Sequence, residues 1–254
     1  MKNNHVLPCN KALKHIISVV IILGIWEISA LIVSDSFFLP DIPETFLALI
    51  KIISAKSFLK IIFTSFYRVI LGLIVGTVLG VVFAVLCHKI DFLATILSPL
   101  ISIMKATPVA CIIVLLWIRF NYTQIAVLVV LLMVTPIVWQ NVYDSFKSID
   151  VNLSEVAEVF ELKTTQKLRL LIIPTMLTYL LPAIVTSVGL AWKAEVAAEI
   201  MTNNNMGQQI YDFKTVSYDT ASIFAWTVII ILTSIVLEKA TKYLFGRVLN
   251  ELKD

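Results

Sequence analysis

The sequence is poor in charge, in cysteine and in glycine. Only 15% of its 254 residues are Asp, Glu, Lys or Arg and 59% are apolar, whereas a soluble domain carries about 25% charged and about 45–50% apolar residues. A mean hydropathy of +0.94 agrees with this, and a soluble chain is excluded. Three Cys cannot supply a disulfide framework. Cys87 and Cys111 sit in apolar runs, where they are expected to be small buried hydrophobes. Seven Gly and eight Pro exclude a collagen-like or low-complexity chain. A net charge of +3 with dispersed basic residues gives no surface for nucleic acid. His5, His15 and His88 are scattered, and no H-E-x-x-H or D-D-x-x-D occurs, so neither a catalytic residue nor a metal site is expected. No G-x-x-x-x-G-K-[ST] is present either, so the chain has no phosphate cradle of its own.

What the sequence does have is long apolar runs. Hydrocarbon about 30 Å thick is crossed by about 20 residues of helix, and backbone polar groups in lipid must be satisfied within their own segment. Six runs qualify, at about 16–33, 67–88, 92–118, 120–143, 170–200 and 219–238. They predict an all-α membrane protein with a short segment 1–15 before a six-helix domain, 16–254. The first run contains Glu27 and lacks an A-x-A site, so it reads as a retained helix rather than a cleaved signal. Placing the N-terminus inside puts twelve Lys and Arg on the inner side against six on the outer, Arg68 among the six. This favours both termini in the cytoplasm.

Charges within spans are costly, about 2.5–3.5 kcal/mol each on insertion scales, and default to functional or paired positions. Glu27, next to Trp26, reads as a hydrogen bond to a neighbouring helix. Lys105, Lys193, Glu195 and Glu199 are candidates for lining a path, with pairing among themselves as the competing reading. Gly72, Gly76 and Gly80 form a double G-x-x-x-G, which lets helices approach closely. Pro99, Pro108 and Pro136 are expected to kink the third and fourth spans. Outside the spans, Pro40–Pro43 marks a turn before an amphipathic outer helix with Phe46, Leu49, Ile50 and Ile53 on one face.

The inner connection 145–169 carries the most information. Asn152 can cap a helix, with Glu155 three residues on. Leu153, Val156, Ala157 and Phe160 then fall at i, i+3, i+4 and i+7. Thr164 or Thr165 could cap a second helix that runs into the fifth span and meets Pro174. A cytoplasmic hairpin with an apolar stripe fits a docking surface for a soluble partner.

Glu155-Val156-Ala157, Glu161 and Leu171-Ile172-Ile173-Pro174 together resemble the EAA loop of binding-protein-dependent ABC importer permeases. The spacing from Glu155 to Pro174 agrees throughout. Val156 replaces an Ala, and Glu161 replaces a Gly whose left-handed turn costs other residues about 1 kcal/mol or more, so the chain is expected to turn differently there. Trp26-Glu27, Leu39-Pro40, Ser65 to Val69, Ala191-Trp192-Lys193, Ala197-Ala198-Glu199 and Met206-Gly207 extend the likeness to permeases of the nitrate, sulfonate and taurine type.

The resemblance implies the type I importer fold. Leu153, Glu155, Val156, Ala157, Phe160, Glu161 and Pro174 would then form the coupling element. The implied partners are a second permease subunit, by expectation an identical one, two cytoplasmic ATPase subunits and an external substrate-binding protein. It further implies a multi-pass protein of a bacterial inner membrane, with ATP used by the partner and no cofactor bound by this chain. Sulfonate, nitrate, taurine, bicarbonate and vitamin precursors remain open as solutes. The alternative is a secondary carrier working without an ATPase, against which the lack of a repeated half counts.

Overall fold

The computed structural model describes residues 8–251, which are helical with no strand among them. The helices are α1 (Pro8–Val33), α2 (Ile42–Ile53), α3 (Phe58–Lys89), α4 (Asp91–Ala106), α5 (Val109–Trp117), α6 (Tyr122–Lys147), α7 (Val151–Val159), α8 (Thr164–Lys167), α9 (Ile173–Met201), α10 (Met206–Thr215) and α11 (Thr220–Glu251). A π-helical segment, Leu168–Ile172, joins α8 to α9. Five of these stretches are long and apolar enough to cross a membrane.

The third expected span differs from the rest. Instead of one helix over 92–118, α4 and α5 meet at a bend of 99°. Pro108 lies at the break and has extended backbone (φ −60°, ψ 136°). Its ring disfavours helical geometry in the residue before it, and Thr107 is accordingly extended at ψ 126°. At about 1.5 Å per residue neither piece crosses the hydrocarbon alone. By contrast, Pro99, Pro136 and Pro182 remain inside continuous helices.

The chain divides into two compact units, one running up to Leu59 and including Ile210–Ile229, the other made of Lys60–Gln209 and the part from Ile230 on. In the first unit the Trp26-Glu27 pair has a definite purpose. The Trp26 indole N–H donates to the Pro40 carbonyl at 3.0 Å, and the Glu27 carboxylate accepts the Ile42 N–H at 3.0 Å. Asp41 accepts the Glu44 N–H at 2.7 Å, so two carboxylates satisfy free donors at the start of α2. On α2, Phe46, Leu47, Ile50 and Ile53 are exposed while Thr45 and Ile52 are buried.

In the second unit α6 is the most enclosed span, with 56% of its most apolar stretch buried. A cluster of Ile113 from α5, Ile125, Ala126 and Val129 from α6, and Ala194 and Ala198 from α9 closes one side. On another side, the glycines of α3 lie against valines of α6. A Cβ added to Gly72 would come within 2.7 Å of Val130, one on Gly76 within 3.0 Å of Val134, and one on Gly80 within 2.8 Å of Val138. The Thr135 hydroxyl, which bonds the Leu131 carbonyl of its own helix at 2.8 Å, also lies 3.2 Å from the Gly76 carbonyl. Cys87 is buried as expected, but Cys111 is exposed on α5.

The gradation along this groove is testable. Overpacking typically costs about 1–3 kcal/mol. Gly72→Ala and Gly80→Ala are expected to lower the melting temperature of the purified protein more than Gly76→Ala does. Equal melting temperatures for all three and the parent would show that α3 and α6 are not in this register.

Candidate functional site

The candidate coupling loop is built on a short, well-capped helix. Asp150, rather than Asn152, accepts the free N–H at the start of α7, from Asn152 at 2.9 Å. At its other end Glu161 adopts the left-handed conformation, φ 49°. The Glu161 N–H donates to the Glu158 carbonyl at 2.9 Å and the Leu162 N–H to the Ala157 carbonyl at 3.0 Å. These two bonds are the Schellman ending that the family's Gly would make. The chain therefore does not turn differently at Glu161; it makes the same turn at a cost in backbone strain.

Of the expected stripe, Leu153, Val156 and Phe160 are exposed at 54%, 50% and 73%, but Ala157 is buried at 4% and faces the chain itself. Val151 and Val159 add to the exposed apolar surface, and Glu155 is exposed beside them. After the turn, Lys163 rather than Thr164 or Thr165 occupies the cap position of α8, and its N–H is bonded by the Gln166 side chain at 2.9 Å. Pro174 lies two residues past the end of the π-helical segment. A proline lacks an N–H and crowds the carbonyl four residues back, so a wider turn there relieves the conflict.

The path candidates separate into different environments. Glu199 is fully buried and pairs with Arg68 at 2.8 Å. The same carboxylate accepts from the Ser65 hydroxyl at 2.9 Å, the Asn205 amide at 3.0 Å and the Met206 N–H at 3.2 Å. Arg68 also reaches Asn204 at 3.2 Å and Thr123 at 3.4 Å. The turn after α9 is shaped to this cluster. Asn203 and Asn205 are left-handed, and Gly207 packs so closely on the Glu199 backbone that a Cβ there would overlap it. Glu195, one turn earlier, is also fully buried, and neither of its oxygens has a hydrogen-bond partner.

Lys193 is exposed on another face of α9, beside Glu238 and Lys242. Lys193, Glu195 and Glu199 are therefore not one lining, because helical rotation turns Lys193 away from the two carboxylates. Glu199 is enclosed with a counter-charge, but that partner is none of the candidates expected to pair among themselves. The counter-charge is Arg68, which the charge count had placed in an outer segment without a partner. Lys105 is exposed in the last turn of α4, just before the bend.

With this geometry in view, comparison with known proteins defines the class. Residues 72–250 match the family described as binding-protein-dependent transport system inner membrane component, and the chain belongs to that family. It is 28% identical over 213 residues to an aliphatic sulfonates transport permease protein, SsuC, of Bacillus subtilis (strain 168), covering 82% of this chain and 76% of that protein. Among solved structures it is similar to an amino acid ABC transporter, with a TM-score of 0.61 at 17% identity over 75% of this chain and 91% of the other. The inward-facing MetNI methionine ABC transporter gives a TM-score of 0.56 at 15% identity over 76% and 92%. The chain is thus a multi-pass inner-membrane permease subunit of an ATP-driven importer, with the type I permease fold. Its general partners are a separate ATPase and a binding protein.

Two outcomes follow from the site's geometry. Glu199→Gln strands the Arg68 charge in a buried setting and is expected to destabilise the protein by about 3–5 kcal/mol, read as a lower melting temperature. An unchanged melting point would mean that the pair is not buried. Glu161→Gly is expected to raise stability by about 1 kcal/mol, because glycine adopts the left-handed turn without strain.

Proposed function

We propose that this chain, as a pair of identical copies, forms the membrane path for a small organic anion of the sulfonate kind and takes its energy from a cytoplasmic ATPase docked on α7. The observation that carries the docking assignment is the exposed apolar surface of α7, with Leu153, Val156 and Phe160 presented to the outside of the chain. An apolar surface on a short helix between charged flanks is recognised by insertion into a groove of a partner. The similarity to the sulfonate permease supports the solute class. ATP is held by the partner ATPase, and this chain binds no cofactor. The bent α4–α5 pair is read as one span, which keeps both termini on the cytoplasmic side with α7.

Phe160→Asp is expected to leave the protein inserted and folded but detached from its ATPase, since a charge buried without a partner at an interface costs several kcal/mol. Phe160 is preferred to Ala157 for this test because Ala157 is buried within its own chain. Recovery of the ATPase at parental yield with Phe160→Asp would remove α7 as the docking element. In proteoliposomes, uptake of labelled ethanesulfonate should require the binding protein and ATP; uptake driven by an ion gradient alone would instead establish a carrier.

Orientation is tested separately. Lys56→Cys and Gln208→Cys, both at exposed positions, should react with an impermeant thiol reagent in intact cells. Lys163→Cys should react only after the membrane is opened. Labelling of Lys163→Cys in intact cells would reverse the orientation.

A further inference from the structure

Charges remain on the second unit that neither the docking surface nor the outer cluster uses. A pocket of about 330 Å³ opens between α9 and α11, lined by Thr186, Gly189, Leu190, Lys193, Glu238 and Lys242. Lys193 lies within the fifth apolar run, where an unused charge is costly, and Glu238 and Lys242 stand at the end of the sixth. Lys193 and Lys242 are exposed and Glu238 is half-buried. The Arg68–Glu199 contact is the one ion pair among the described residues, so neither ammonium is neutralised by Glu238. The Glu238 carboxylate is set back against the bare Cα of Gly189, where any side chain would overlap it. The Thr186 hydroxyl is already committed to the Pro182 carbonyl at 2.9 Å. The free donors facing the pocket are therefore the two ammonium groups, beside the apolar side chain of Leu190.

From this arrangement we infer that the pocket is a binding site for an oxyanion head group carried on a short aliphatic body, with Lys193 and Lys242 holding the oxyanion and Leu190 meeting the chain. Two ammonium groups against one recessed carboxylate leave the pocket net positive. A cleft of one sign with low-dielectric walls concentrates ligands of the other sign. The oxyanion has two possible sources, a sulfonate or carboxylate solute in transit and the phosphate of an anionic lipid. The solute assignment rests on the permease reading given above, whereas the chemistry of the pocket does not.

The test uses the full-length chain assembled with its ATPase in nanodiscs, with Cys9, Cys87 and Cys111 replaced by Ser and Thr186→Cys introduced. Modification rates are compared for two methanethiosulfonate reagents of similar size, one ending in ethylsulfonate and one in ethyltrimethylammonium, each relative to a free thiol in solution. The sulfonate reagent is expected to be favoured by about tenfold. Lys193→Gln with Lys242→Gln should abolish the preference, and Lys193→Arg with Lys242→Arg should retain it, which separates charge from misfolding.

Protection by ethanesulfonate at constant ionic strength in phosphatidylcholine discs supports the site and identifies the solute as its ligand. Protection only when phosphatidylglycerol is added supports the site and identifies the lipid phosphate. A charge preference equal to that of the free thiol, one unchanged in the double Gln variant, or protection by neither ligand overturns the proposal. No step requires ATP hydrolysis, so these outcomes are independent of whether Phe160→Asp detaches the ATPase.

Discussion

A single guanidinium, that of Arg68, fixes one end of three helices in register. It lies buried on α3, bonds Glu199 near the end of α9, and reaches Thr123 in the first turn of α6 and Asn204 in the turn after α9. A charge in so dry a place is tolerated only when it is paired; both terminal nitrogens of Arg68 are met, while its Nε is buried without a partner. The groups that meet it come from different helices, so the vertical position of each is determined by reach. Arg68 also begins the stripe that continues one turn at a time through Gly72, Gly76, Gly80 and Ala84, all buried. The ion pair at the top and the glycine groove below it are therefore one face of α3. The first sets the register that lets the bare glycine backbone ride over Val130, Val134 and Val138.

Much of this was legible from residue type and spacing, because lipid leaves few options. Apolar runs in hydrocarbon must be helices, and glycines four apart must face a neighbour at close range. The resemblance on the 155–174 spacing led to the correct family. The failures have physical causes. The kink expected at Pro108 is present, but its size, 99°, was not legible, because hydropathy sums over residues and is blind to direction. Glu161 was expected to force another turn; local preference is about 1 kcal/mol, and two backbone hydrogen bonds with the buried Ala157 override it. The pairing of Arg68 went unseen because it stands at the edge of a run, and nothing local to it announces a partner 131 residues away.

The charges of α9 show why helical spacing alone could not sort them. Glu195 and Glu199 are four apart and share a face, as i, i+4 geometry requires. Lys193 is two residues before Glu195, about 200° around the helix, and so looks elsewhere. One helix thereby serves two surfaces. Its enclosed side joins the cluster around Arg68, and its open side presents Lys193 to the pocket shared with α11. The two roles make opposite demands, since the enclosed carboxylate must never lose its partner while an ammonium that receives a ligand must not already have one.

The same helix links the proposed docking helix α7 to the Arg68 cluster. From Thr164 to Met201 the chain is continuous helix over 38 residues, about 57 Å at 1.5 Å per residue. A displacement of α7 enters this rod through the turn at Glu161, whose hydrogen bonds to Glu158 and Ala157 tie it to α7. Along the rod, bending is easiest where the hydrogen-bond ladder is already altered, at the π-helical segment with Pro174 and again at Pro182. Beyond Pro182 the helix is held by the Trp192 indole on the Ile230 carbonyl at 3.1 Å and by Glu199 on Arg68. A push from the α7 end is therefore absorbed first before Pro182. The part beyond it, which carries Lys193 between these two anchors, moves with α3, α6 and α11 or not at all.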